Sequence, residues 1–185
     1  MKRKADEAFL SFSEKVFKRD HDTCQYCGFT AKEKMDVVNL DGNYLNNKLS
    51  NLVTSCPFCT QCQFLDAVGT GDFGGGALIY FPEMSQTELN ALIHVLFACI
   101  AFGNSFNSRA KDIYRSLKSR TEVIEKTLGE GLSSPSVYGQ MLIDSGIKVK
   151  DMHSDLVDNL RLLPNLKCFA PYSVQCACAA IRTLS

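Results

Sequence analysis

Cys24-Gln-Tyr-Cys27-Gly28 and, further on, Asn51-Leu-Val-Thr-Ser-Cys56-Pro-Phe-Cys59 set two Cys-x-x-Cys knuckles on either side of an asparagine-rich segment. A two-residue gap lets both sulfurs of one knuckle reach a single ion at about 2.3 Å, and four thiolates so arranged match tetrahedral Zn2+. One Cys-x-x-Cys alone is also consistent with a redox pair, but such pairs sit beside a strand-helix-strand pattern, and neither knuckle has one. Cys24, Cys27, Cys56 and Cys59 are therefore predicted to hold one structural Zn2+ that anchors the fold.

Ahead of the first knuckle, Phe9, Phe12, Val16 and Phe17 fall on one helical stripe, with Glu14, Lys15, Lys18 and Arg19 mostly elsewhere, which predicts a short amphipathic helix over 9–20. Gly28 supplies the permissive backbone of a tight thiolate turn. Between the knuckles, Met35 to Leu40 reads as a strand, Asp41-Gly42 as a hairpin turn and Asn43-Tyr44-Leu45 as a short return strand. Asn46, Asn47, Ser50 and Asn51 then form a loop of residues that bond their own backbone. Pro57 marks a helix start, predicted to run through Phe58, Phe64 and Leu65 towards Gly69. Thiolates at such a helix N-terminus ionise more easily, which favours metal capture.

Gly69-Thr-Gly71-Asp-Phe-Gly74 formally contains Gly-x-Gly-x-x-Gly, but a dinucleotide fingerprint follows a strand and opens a helix. Here it follows a predicted helix and leads into the strand-like Ala77 to Phe81, so it reads as a flexible turn. Ser85-Gln-Thr-Glu88 is a capping box, followed at helical spacing by Leu89, Leu92, Ile93, Leu96, Phe97 and Ile100, which predicts an apolar helix to about Phe102. His94 beside that stripe is read as a core or boundary residue and Cys99 as a small buried hydrophobe. Further helices are predicted over 108–128, from Pro135 to Gly146, and over 151–163, the last closed by Pro164. Lys111, Arg115 and Lys118 share a face that could touch phosphates, but Glu122 and Lys126 continue it with opposite charges, as on a solvated helix. From Lys167 onward no period is sustained, and Cys176 and Cys178 have no further metal ligands near them.

Of the nine cysteines, Cys62, Cys99, Cys168, Cys176 and Cys178 show no regular spacing, so the 185-residue chain fits a reducing compartment better than a disulfide framework. No segment approaches the roughly 18 unbroken apolar residues of a membrane span. Met1-Lys-Arg-Lys is followed by Asp6-Glu7 rather than an apolar core, so neither export signal nor anchor is expected. A formal net charge of zero argues against a nucleic-acid binder, whose affinity for phosphates rests on clustered Lys and Arg. The predicted class is α+β, divided into a tail over 1–8, a ββα zinc module over 9–66, a mainly α-helical extension packed on it over 67–165, and a poorly specified tail over 166–185.

Lys18-Arg-Asp20-x-x-x-Cys24-Gln-Tyr-Cys27-Gly28 and Val38-Asn39-Leu40-Asp41-Gly42-Asn43, with Asn46, Asn47, Asn51 and the second knuckle, resemble the zinc-stabilised form of the HNH endonuclease fold. That family uses a histidine of the first strand as general base. Here Val38 and Asn39 stand at the paired-histidine position and Thr60 at the histidine beside the last cysteine, so the resemblance implies the fold without the catalysis. More of the chain, from about Phe9 to Pro164, resembles the IcmJ/DotN family. The carrying stretches are Gly74-Gly-Gly76-x-Leu-Ile-Tyr80-x-Pro-Glu, Ile113-Tyr114-Arg115-Ser116, Met141-x-Ile-Asp144-Ser-Gly146 and Asn159-x-Arg161-Leu-Leu-Pro164. This resemblance implies a cytoplasmic subunit of the Dot/Icm type IVB secretion coupling complex, held at the inner membrane through its partners and serving effector export. It also implies binding to the C-terminal extension of the coupling ATPase DotL, alongside DotM and the IcmS–IcmW adaptors. Two other readings compete: a metal-dependent nuclease using Asp36, Asn39, Asp41 or His21, and a zinc-dependent nucleic-acid-binding module using Lys111, Arg115 and Lys118.

Overall fold

Helix α1 (Glu7–Arg19) opens a computed structural model that describes residues 7–103, 105–146 and 154–169. The chain forms two compact units divided between Thr60 and Gln61. The predicted amphipathic helix is present: Val16 and Ser13 are buried while Glu14, Lys15 and Lys18 face solvent. His21 and Asp22, both at positive φ (54° and 52°), stop it and turn the chain into the first knuckle.

Strand β1 (Asp36–Asn39) pairs antiparallel with β2 (Leu52–Ser55), Val38 opposite Val53 and Asn39 opposite Leu52. The first strand is as predicted, but the return strand is not 43–45. Asp41 Oδ1 accepts from Asn43 N at 2.9 Å and Asn43 Oδ1 from Leu45 N at 3.0 Å, so side chains capture the backbone of that segment as a loop. Leucine and valine at 52 and 53 then supply the buried strand. Helix α2 (Pro57–Gln61) begins where Pro57 predicts but is short. The helical run to Gly69 is broken at Phe64, which takes φ −142° and sets its ring edge-on to Phe73 at 5.9 Å; one 3-10 turn, Leu65–Ala67, follows.

In the second unit, β3 (Gly76–Tyr80) pairs antiparallel with the last strand, β4 (Leu160–Pro164), Leu78 opposite Leu162. Between them in sequence lie α3 (Gln86–Phe102), α4 (Asn107–Ser119), α5 (Thr121–Leu128), α6 (Pro135–Ser145) and α7 (Asp155–Asp158). The predicted capping box is formed: Ser85 accepts from the Glu88 backbone and Glu88 from the Ser85 backbone. His94 is buried, as predicted, whereas Cys99 is only half-buried. Helix α6 runs from Pro135 to a left-handed Gly146, also as predicted.

Two further helix predictions need correction. The expected single helix over 108–128 breaks at Arg120, whose guanidinium lies 4.6 Å from the Phe81 ring centroid and pairs with Glu83 at 2.7 Å. The expected helix over 151–163 is helical only at Asp155–Asp158 among its described residues. Leu160–Pro164 is instead an edge strand, because Gln86 of α3 imitates a neighbouring strand there: its Oε1 accepts from Leu162 N at 2.7 Å and its Nε2 donates to Leu162 O at 2.9 Å. The mainly helical extension thus holds a two-stranded sheet, whose first strand is the strand-like run predicted at Ala77 to Phe81 and whose second, Leu160–Pro164, was expected to be helical. Cys176 and Cys178 lie outside the described residues.

Gly139 fixes how α6 meets the 3-10 turn. A Cβ at this position stands 2.5 Å from Asp66 N and 2.9 Å from Asp66 Cα, and both are backbone atoms that cannot swing aside. Gly139→Ala is therefore expected to destabilise the protein by about 1–3 kcal/mol through overpacking, read as a lower urea midpoint with an unchanged m-value.

Candidate metal centre

Both knuckles are built from short, firmly hydrogen-bonded turns. Cys24 N donates to Phe29 O at 2.8 Å and Gly28 N to Cys24 O at 2.9 Å, with Gly28 at φ +75° as its place in a tight turn requires. In the second knuckle Cys56 directly precedes α2 and Cys59 lies within it, Thr60 N donating to Cys56 O at 2.8 Å. Strand β2 joins the two: Gln25 N donates to Thr54 O at 2.9 Å, which carries the first knuckle onto the strand that ends at the second.

The result is a cluster of four sulfurs, Cys24, Cys27, Cys56 and Cys59, all within 4.8 Å of one another; three of these residues are buried and Cys27 is half-buried. Cys27 Sγ and Cys56 Sγ are 3.6 Å apart. That is far beyond the roughly 2.05 Å of a disulfide, and close to the roughly 3.8 Å edge of a tetrahedron whose corners lie about 2.3 Å from a central ion. The donor set therefore fits a tetrahedral cation that favours thiolates.

Electrostatics support the same fit. Cys24 is shifted down to about 6: its contact with Cys27 acts to raise it, but hydrogen bonds with Cys56 and Cys59 outweigh that. Burial pushes the Cys56 thiol up, and the contacts with Cys24 and Cys27 push Cys59 up. Helix position was expected to ease ionisation of the second knuckle; before an ion is bound, burial at Cys56 and the neighbouring sulfurs at Cys59 act against it. Four sulfurs this close cannot all carry negative charge without a cation among them, so capture of a dication releases protons from the cluster.

Around the cluster the first unit is held by polar side chains. Asp20 accepts from Arg19 Nε at 2.7 Å and from Thr54 N at 2.8 Å. Arg19 Nη1 donates to Leu49 O at 2.8 Å and Nη2 to Leu52 O at 2.6 Å. This Arg–Asp pair stitches the end of α1 to the outer edge of β2. Sequence alone gives Arg19 as a solvent-facing charge; the adjacent Asp20 and the buried strand that follows are the only signals of its other role.

Asn39, in β1, is 1 % exposed, and its Nδ2 donates to Asn43 O at 3.0 Å and to Asn46 O at 2.6 Å. Asn51 Nδ2 donates to Asp41 Oδ1 at 2.8 Å and to Asn46 O at 2.9 Å, and Asn46 Nδ2 to Asp41 Oδ2 at 2.7 Å. These bonds, led by that from Asn46, hold the exposed Asp41 carboxyl below the usual carboxylate range. The asparagine-rich segment is thus a lock on its own main chain. Val38 and Thr60 are both buried, and His21 sits exposed in the turn after α1. Asn39→Ala removes two hydrogen bonds, while Asn43 O keeps the Asn46 amide at 2.9 Å and Asn46 O keeps Asn51 Nδ2 at 2.9 Å; a loss of about 1–3 kcal/mol is expected from the two bonds, measured as a lower melting temperature.

Elsewhere, Lys111, Arg115 and Lys118 are exposed on α4, Arg115 forms an ion pair with Asp112, and Lys126 lies 3.6 Å from Glu122. Among the described residues no helix is long and apolar enough to cross a membrane. No protein-family model matches the chain. Over 183 residues, 99% of this chain and 86% of the relative, the sequence is 48% identical to the type 4 apparatus protein DotN of Legionella pneumophila strain Philadelphia 1.

Proposed function

The chain belongs to the DotN family of type 4 apparatus proteins, and from that premise we propose that it is a non-catalytic, zinc-stabilised adaptor subunit of a Dot/Icm type IVB secretion coupling complex. One Zn2+ at Cys24, Cys27, Cys56 and Cys59 holds an HNH-like ββα module made of β1, β2 and α2. The adaptor binds the C-terminal extension of the DotL-like coupling ATPase, shares the complex with DotM and the IcmS–IcmW adaptors, and is cytoplasmic, at the inner membrane only through those partners.

The observation that carries the non-catalytic part is Asn39. At the strand position where an HNH enzyme needs a proton acceptor, this chain has a buried amide whose nitrogen is committed to two main-chain carbonyls. An amide has no pKa suited to general-base work, and this one is 1 % exposed. Residues Asp41, Asn46 and Asn51 are likewise engaged with one another.

The test is a pull-down of the purified full chain against the C-terminal extension of the ATPase, run beside a nuclease assay with Mg2+ and Mn2+ at large protein excess over DNA. Retention of the ATPase segment through a high-salt wash, with intact DNA, is expected. Metal-dependent cleavage that disappears in Asn39→Ala would reinstate the nuclease reading, and absence of retention would remove the adaptor assignment.

A further inference from the structure

Helix α6 crosses the 3-10 turn Leu65–Ala67 so closely at Gly139 that the two backbones cannot separate or slide without losing the contact. Beside this crossing lies a trough of about 840 Å³, open along one side. Its volume is within the range of about 300–1,000 Å³ typical of binding clefts, but its openness suits an elongated occupant better than an enclosed small molecule.

One wall is a stripe of α6, where Val137, Gln140, Met141 and Asp144 recur at the i, i+3, i+4, i+7 spacing of a single helix face, Met141 half-buried against the core and the other three exposed. The other wall carries Asp66 and Thr70. Val137 is 50% exposed, although α6 as a whole is anchored by buried Pro135, Tyr138 and Gly139. Among the described residues, the charged side chains lining the trough are the carboxylates of Asp66 and Asp144. Gln140 Nε2 donates to one oxygen of Asp144 at 2.7 Å, which orients that carboxylate along the wall.

We propose that this trough is a docking site for a basic amphipathic protein segment, whose apolar side chains cover Val137 and Met141 while its Lys or Arg groups meet Asp66 and Asp144. Charge decides the occupant: the carboxylates of Asp66 and Asp144, the charged groups among the described lining residues, repel nucleic acid and anionic lipid alike and attract a basic peptide. The apolar stripe supplies the burial that a rim of carboxylates alone does not. Because Gly139 fixes the walls in advance, little ordering is required of the trough when the segment arrives. The proposal depends neither on the metal centre nor on the identity of the ATPase segment.

The test uses the full chain and a fluorescein-labelled helical peptide of about five turns, leucine on one face and lysine on the other, with a leucine–glutamate counterpart of the same length. By anisotropy at physiological salt, the lysine peptide is expected to bind saturably and at least about tenfold more tightly than the glutamate peptide. The double variant Asp66→Lys/Asp144→Lys reverses that preference, and Val137→Asp weakens the lysine peptide by about tenfold. All three positions are exposed, so the melting temperature stays within a degree or two of the parent, about the scale of neutral surface changes. Amide-exchange protection should fall on 65–70 and 135–145. Equal binding by the charge-reversed protein, protection elsewhere, or no binding of the lysine peptide overturns the proposal.

Discussion

Cys24→Ser and Cys56→Ser are each expected to remove the protein from the soluble, folded fraction, and a strong chelator applied to the unmodified chain is expected to melt the first unit in the same way. The reason lies in what these residues hold. After α1 the first unit has two four-residue strands, a 3-10 turn at Leu49–Asn51 and one short helix, and three of its buried apolar residues are the cysteines themselves, Cys24, Cys56 and Cys59. With the ion absent, four sulfurs crowd together, two of them disfavoured for ionisation by burial or by their neighbours. With it present, structural Zn2+ contributes on the order of 10–16 kcal/mol at neutral pH in small modules, against a total of about 5–15 kcal/mol for a typical domain. Loss of one ligand therefore exceeds the margin. Circular dichroism and zinc content on one sample check this. Cys62→Ser is the control: Cys62 does not belong to the four-sulfur cluster, so its variant should keep both fold and metal. A well-folded, metal-free Cys24→Ser protein contradicts the structural-zinc account.

The next largest effect is expected at Asp20. Its side chain is 7% exposed and receives Arg19 Nε at 2.7 Å and the Thr54 amide at 2.8 Å. Removing it leaves the Thr54 amide without its acceptor and frees an arginine that now fastens the carbonyls of Leu49 and Leu52. Truncating one partner of a fully buried pair costs about 3–5 kcal/mol. Because the Arg19 side chain is 38% exposed, solvent screens part of the pair, and about 2–3 kcal/mol is expected for Asp20→Ala. The pH dependence has a definite sign. Burial acts to raise the Asp20 pKa, but the hydrogen bonds from Arg19 and Thr54 together bring it below the ordinary carboxylate value. A carboxylate depressed in the folded state stabilises above its unfolded pKa of about 3.9, and that stabilisation is lost as pH falls through the folded value. The difference in urea midpoint between parent and Asp20→Ala should therefore be full at neutral pH and shrink below about pH 4. A difference independent of pH would assign the effect to packing instead.

How legible these features were depends on the distance over which each is determined. The four cysteines could be read at once, since ligand spacing is local chemistry, and so could the Ser85–Glu88 capping box and the Pro135–Gly146 helix, whose start and stop signals lie within their own segments. Residues 43–45 look like a strand because alternation is weighed before side-chain-to-backbone bonds, and it is Asp41, Asn43, Asn46 and Asn51 that hold that chain as a loop. Leu160, Leu162 and Leu163 suit a helix or a strand equally; their partners, Gly76–Tyr80 and the side chain of Gln86, decide the matter from far away in the sequence. Arg120 ends α4 through Phe81 and Glu83, neither of which is local to it. The site shows the same division. Its ligands were visible, but Arg19, which acts on carbonyls 30 and 33 residues onward, reads in sequence as an ordinary charge on the polar face of a helix. Asn39 stood out only by replacing a histidine; its commitment to Asn43 and Asn46 is a property of the folded loop.

Native mass spectrometry of the full chain mixed with the C-terminal extension of the coupling ATPase tests the central claim most directly, since one spectrum reads metal and partner together. The account predicts a complex whose mass includes one zinc per chain, and in which stripping the metal also removes the ATPase segment. A folded chain carrying no metal, or a zinc-loaded chain that never takes up the segment, would contradict it.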